Sequence, residues 1–191
     1  MIEKEEIRRI VTGRQRKSLP PEGRQRSAVL VPLYHGKEGY EILLIKRTDR
    51  VKTHQGQIAF PGGTWEPEDS SPIATALREA HEEIGIRPED VEVFGELDDT
   101  STATSNFLIT PVVGIIPSSY PFELDAGEIA ELLSLPLHVL RDPQAFQEEV
   151  WEREGGTVRV FVRREGPHTI WGATARILHH FGETLFGAAG R

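Results

Sequence analysis

The sequence predicts an α+β fold, with helices packed on a mixed β-sheet as an α/β/α sandwich. Two observations carry this. Many short β-prone runs are interspersed with only two or three helical segments, and the order is mixed rather than strictly alternating. The 191 residues, 38% of them hydrophobic, suit one domain of ordinary size with elaborations and suffice for a core.

The elements follow in order. Residues 1–12 pattern as a short amphipathic helix, and the Pro- and Gly-rich stretch GRQRKSLPPEGRQRS reads as a linker or arm. The expected division is therefore an N-terminal helix and arm over 1–25 and the main domain over 26–191. AVLVPLYHG and YEILLIKR are apolar β-prone runs around GKEG, which fits a hairpin. QIAFPGG is a short strand ending in a turn. SSPIATALREAHEEIG carries helix punctuation at both ends: Ser71 as N-cap, Pro72 at the first helical position and Gly85 just past the end. DVEVFGELDD and FLITPVVGIIP read as strands. EIAELLSLPLHVL reads as a strand running into a short helix, because Pro136 interrupts it. EEVWERE and TVRVFVRRE, around Gly155 and Gly156, alternate as a second hairpin, and WGATARILHHFGETLF has helical spacing.

Bulk chemistry excludes several classes. There are no cysteines, so disulfides, thiolate catalysis and Cys-type zinc sites are out. Thirty acidic against 22 basic residues give a net charge of −8, without the basic footprint of a general nucleic-acid binder. A small anionic substrate remains compatible, because a local basic pocket or a bound cation reverses the field. No apolar run approaches the roughly 20 residues that span a bilayer, and the N-terminus lacks a signal-peptide core. A soluble, cytoplasmic protein without a membrane partner is expected. The sequence leaves open whether the first 25 residues pack on their own domain or on a second copy in a homodimer.

The segment that carries chemistry is ALREAHEEIGI. At about 100° per residue, Glu79, Glu82 and Glu83 fall within roughly a third of the helix circumference, beside the apolar positions Ile73, Leu77, Ala80 and Ile84. Like charges one turn apart, near the end of a helix whose dipole is already negative, each cost a few tenths of a kcal/mol, order of magnitude. Either the stripe is solvated, or a hard divalent cation supplies the missing positive charge. Gly62 and Gly63 upstream permit a tight turn and expose carbonyl oxygens, further hard ligands.

GGTWEPEDSSPIATALREAHEEIGI resembles the Nudix box, the loop-helix signature of Nudix hydrolases. Arg78, Glu79, Ala80, Glu82, Glu83, Gly85 and Ile86 match its helical half. The loop half departs: Gly63, five residues, Asp69, then eight residues to Arg78, so that Asp replaces Glu and one residue is added. The preceding LLIKRTDRVKTHQGQIAFPGG resembles the lead-in of the coenzyme A pyrophosphatase branch at Leu43, Leu44, Arg47, His54, Gly56, Gln57, Phe60, Pro61, Gly62 and Gly63. The resemblance extends over roughly residues 26 to 185.

The resemblance implies a Nudix-type sandwich and Mg²⁺- or Mn²⁺-dependent hydrolysis of a CoA-like nucleotide diphosphate to 4′-phosphopantetheine and adenosine 3′,5′-bisphosphate. It implies Glu79 and Glu83 as metal ligands, Glu82 as a third and the Gly63 carbonyl as a fourth, with Arg78 orienting a helix glutamate. The general base comes either from the box, through Glu82, or from a downstream loop, through Glu128. Glu123, Asp125 and Glu131 rank behind. Arg47, Lys52 and His54 gather phosphates, a task that suits a guanidinium, while Gln57 either binds substrate or braces its strand. Adjacent His179 and His180 point in different directions on a helix and are not expected to hold metal. Trp171 is favoured as a helix-entry anchor over a stacking surface for a base.

Overall fold

β1 (Gln25–Gly36) is the strand around which the molecule is built. The computed structural model describes residues 2–50, 55–102, 105–153 and 156–187. Within them β1 pairs antiparallel with β2 (Gly39–Arg47), with Gly36 opposite Gly39, as the hairpin expected around GKEG requires. On its other side β1 pairs parallel with β7 (Phe107–Ile115). Among the described residues eight strands join in one mixed sheet, with β3 (Ile58–Ala59), β2, β1, β7 and β5 (Glu92–Glu96) in spatial order. β4 (Gly62–Thr64) adds to β1, β6 (Thr100–Ser101) to β7 and β8 (Ile129–Pro136) to β2. β8 ends at Pro136 and continues as a 3-10 turn, Leu137–Arg141, which is the strand-then-helix order read from that proline. A second sheet is fully antiparallel: β9 (Gln147–Arg153), β10 (Gly156–Glu165) and β11 (His168–Trp171).

The sheet buries both faces, so its central strand is apolar on both. Ala28 and Leu30 of β1 face α2 (Pro72–Ile84) together with Ala76, Ala80 and Ile84. Val31 and Leu33 face the opposite way, toward α1 (Lys4–Thr12) and α3 (Gly172–Phe186), among Ile7, Phe94 and Phe181. This is the α/β/α sandwich that the element pattern predicts. Short strands β4, β6 and β11 were not legible, since runs of two to four residues show no periodicity. No helix among the described residues is long and apolar enough to cross a membrane.

Candidate active site

The glycine turn is the base of the site. β4 lies antiparallel to β1, with Gly62 opposite Val29 and Gly63 opposite Ala28. A Cβ on Gly62 would overlap the Ala28 carbonyl, and a Cβ on Gly63 would overlap the Glu79 carboxylate. Only glycine lets strand and carboxylate approach this closely.

Helix α2 delivers that carboxylate from a fixed start and stop. Ser71 Oγ accepts the Ala74 N–H at 3.2 Å, Pro72 opens the helix, and Gly85 closes it with φ of 74°. Packing then splits the acidic stripe into three environments. Glu83 is 4% exposed and accepts the Gly62 N–H at 2.9 Å and Arg47 at 3.1 Å. Burial pushes its carboxyl up to about 7, against the pull of those two donors. Glu79 is half-buried against Gly63, and burial raises it too, opposed by Arg78. Glu82 is exposed and meets Arg78 at 3.2 Å. The positive groups that offset this negative helix end are thus two guanidiniums and a backbone N–H.

Arg78 is the hub of the loop. It donates to both oxygens of Asp69, at 3.2 and 3.1 Å, and to the Thr64 carbonyl, Glu79 and Glu82. Asp69 is buried and also accepts from Thr75 Oγ1 and the Glu66 N–H. The Arg78 guanidinium, with those donors, holds its carboxyl down to about 2, and Asp69 in turn raises Arg78. Arg78 thus ties Asp69 to two of the helix glutamates, Glu79 and Glu82.

Glu128 is brought to the same place from the other side. The Thr48 N–H donates to its carbonyl at 2.7 Å, Thr48 Oγ1 donates to the Gly127 carbonyl, and the Asp125 N–H donates to the Glu83 carbonyl at 3.0 Å. Arg47 then bridges Glu83 and Glu128, at 3.1 and 2.9 Å. The guanidinium of Arg47, a residue expected to gather phosphate, faces two carboxylates. Gln57 accepts the Arg47 N–H on its backbone carbonyl and borders the adjoining cleft. Lys52 and His54 lie outside the described residues. Of the secondary candidates, Glu131 pairs with Lys46 at 3.6 Å, Asp125 accepts the Gly127 N–H, and Glu123 packs over Gly85. His179 sits between Phe146 and Phe161, away from this cluster.

Among the described residues no three acidic or histidine side chains converge closely enough to cage an ion. The donor chemistry nevertheless fits a hard cation. Two carboxylates, Glu79 and Glu83, are drawn out of water against one glycine turn and are held above their usual range by that burial. A divalent ion would relieve this cost.

A cleft of about 830 Å³ opens from the turn. Arg47, Gln57, Phe60, Gly62 and Gly63 border it, together with Val158, Val160, Trp171 and Arg176. The sequence reading missed Val158, Val160 and Arg176; the alternation in TVRVFVRRE puts the valines on one face but does not say what that face meets. Trp171 stands at the N-cap of α3, as a helix-entry anchor should, yet it also borders the cleft and packs on Trp151.

Comparison with known proteins shows the family and the fold. A family model described as the NUDIX domain matches residues 24–153. A protein of Yersinia pestis (strain Pestoides F), named uncharacterized Nudix hydrolase NudL, is 38% identical over 161 residues, covering 84% of this chain and 80% of that protein. The crystal structure of a MutT/nudix family protein from Enterococcus faecalis superimposes with a TM-score of 0.55 at 17% identity, over 100% of this chain and 81% of the other. That of a Nudix hydrolase from M. smegmatis, RenU, gives 0.50 at 21%, over 60% and 72%. At these identities the two structures speak to the fold alone.

Proposed function

The chain belongs to the NUDIX domain family, and we propose on that premise that it hydrolyses the phosphoanhydride of a nucleotide diphosphate derivative, coenzyme A being the substrate. The observation that carries the reading is spatial. Arg47, Gln57, Phe60, Gly62 and Gly63, all from the lead-in that resembles the CoA pyrophosphatase branch, border one cleft, and Glu79 and Glu83 back its glycine turn. A Mg²⁺ or Mn²⁺ bound there would neutralise phosphate oxygens and lower the pKa of an attacking water. Glu79, Glu83 and Glu82 are assigned to hold it, with the Gly63 carbonyl.

The rest is done by this chain's own groups. Arg78, anchored by Asp69, fixes the rotamers of Glu79 and Glu82. Either Glu128 or Glu82 accepts the proton of the attacking water; both are solvent-accessible carboxylates at the edge of the cluster. Arg47 keeps Glu128 within reach of Glu83. The water oxygen bonds to one phosphorus, the bridging P–O bond breaks, and 4′-phosphopantetheine and adenosine 3′,5′-bisphosphate leave.

The test offers purified protein with Mg²⁺ or Mn²⁺ to CoA, acetyl-CoA, ADP-ribose, NADH and dATP separately, with products identified by mass. Cleavage of CoA to the two named products is expected. Preference for ADP-ribose over CoA would move the assignment to another dinucleotide. No turnover of any diphosphate would make the chain a ligand-binding module instead.

A further inference from the structure

The family-matched residues end at 153, but the cleft does not. Residues of β10, β11 and the first turns of α3 line it together with the glycine turn, so part of its wall lies outside the matched region. Strand alternation and register define that wall. Val158 lies opposite Trp151, Val160 opposite Glu149 and Val162 opposite Trp171, so these side chains share one face of the second sheet. The Trp151 and Trp171 rings are 5.1 Å apart, and the Trp151 indole N–H donates to Glu149 at 2.8 Å, which fixes that ring by its polar edge.

Charge narrows the ligand. The charged side chains bordering the cleft, among the described residues, are Arg47, Arg159 and Arg176. Each already has an acceptor: Arg47 on Glu83 and Glu128, Arg159 on Glu148 at 3.4 Å and Arg176 on the Ser101 carbonyl at 3.1 Å. No carboxylate borders the cleft among those residues, and Glu149, on the same sheet face as the valines, is already held by Arg164 and the Trp151 indole N–H, so this wall offers no free acidic acceptor for a sugar diol or a cationic group. What it offers is apolar surface from Val158, Val160 and Trp171, with neutral hydroxyls from Ser101, Thr102 and Thr174 at hand. The cleft volume suits a ligand of metabolite size, for which sites run from about 300 to 1,000 Å³.

We infer that this wall is a subsite for an uncharged arm with an apolar stem, carried on the diphosphate, and that Val158, Val160 and Trp171 determine specificity for it. The inference rests on the diphosphate-hydrolase reading above and adds which part of the substrate is recognised, and by what. An arm of this kind gains from burial against the valines and the indole, and its amide or hydroxyl groups find neutral partners.

The test compares wild type, Val158→Glu and Trp171→Ala. Val158 is half-buried, so a carboxylate there is tolerated by the fold while charging the wall. Melting curves confirm folding, and kcat and KM are measured for CoA and for ADP-ribose. With an unpaired charge set against an apolar arm, Val158→Glu should raise KM for CoA about tenfold or more, leaving kcat within about twofold and kcat/KM for ADP-ribose within about threefold. Trp171→Ala should act in the same direction. Equal effects on both substrates, or none, would overturn the inference while the hydrolase reading stands. Pantetheine, the arm without any phosphate, is tested separately by ligand-observed NMR. Binding to wild type that Val158→Glu abolishes supports the subsite even if no diphosphate is cleaved, and absence of binding to wild type overturns it.

Discussion

Asp69 shows at the scale of one residue how a lengthened loop keeps its chemistry. Its side chain is one methylene shorter than a glutamate and the loop behind it one residue longer, yet both its oxygens reach Arg78. Because its carboxyl is held at about 2 rather than 3.8, the pairing contributes stability that is complete above about pH 4 and is lost as pH falls through about 2. Asp69→Asn should therefore lower stability by about 2 kcal/mol near neutral pH, and the gap to wild type in urea melts should close between about pH 4 and pH 2. A gap that is flat across that window would remove the ion pair from the account. Glu83 marks the limit of legibility at this scale. Helical spacing put it beside the apolar face, but its burial depends on an N–H 21 residues upstream and a guanidinium 36 residues upstream. Nothing within the helix encodes either.

Among the elements, α1 is the one whose packing its sequence left open. It patterns as an amphipathic helix followed by a polar arm, and Ile7 and Val11 are buried in the core beside Phe94 and Leu97. The arm is fastened just as closely. Arg16 reaches Glu96, Asp99 and Thr110, and the Leu19 N–H donates to Asp99 at 2.9 Å. The amphipathic pattern revealed that α1 has an apolar face but not its partner, since those ion pairs join residues about 80 apart in sequence. We predict that Ile7→Ala costs about 3 kcal/mol in denaturant melts, the usual effect of emptying a fully buried isoleucine site. A loss under about 0.5 kcal/mol would mean that the helix is an appendage. By contrast α2 was readable in full, because Ser71, Pro72 and Gly85 punctuate it locally.

For the whole molecule, the sandwich class followed from element composition, but the sheet order did not. The strand pairing that organises it, β1 with β7, is parallel and joins residues some 80 positions apart, with no turn to announce it. The cleft is likewise a product of assembly, lined in part by the family-matched region and in part by residues beyond it. In a chain of net charge −8 whose proposed substrate is an anion, binding depends on local positive charge at the glycine turn. Glu79 and Glu83 are proposed to grip a divalent ion at that turn, and the most direct measurement is Mn²⁺ titration of wild type and Glu83→Gln by electron paramagnetic resonance, with CoA turnover on the same samples. The variant removes a buried charge while keeping an acceptor for Gly62, so it should stay folded. We predict Mn²⁺ affinity weakened about tenfold or more and turnover cut by about a hundredfold or more. A folded Glu83→Gln protein that binds Mn²⁺ and turns over CoA as wild type does would contradict the account.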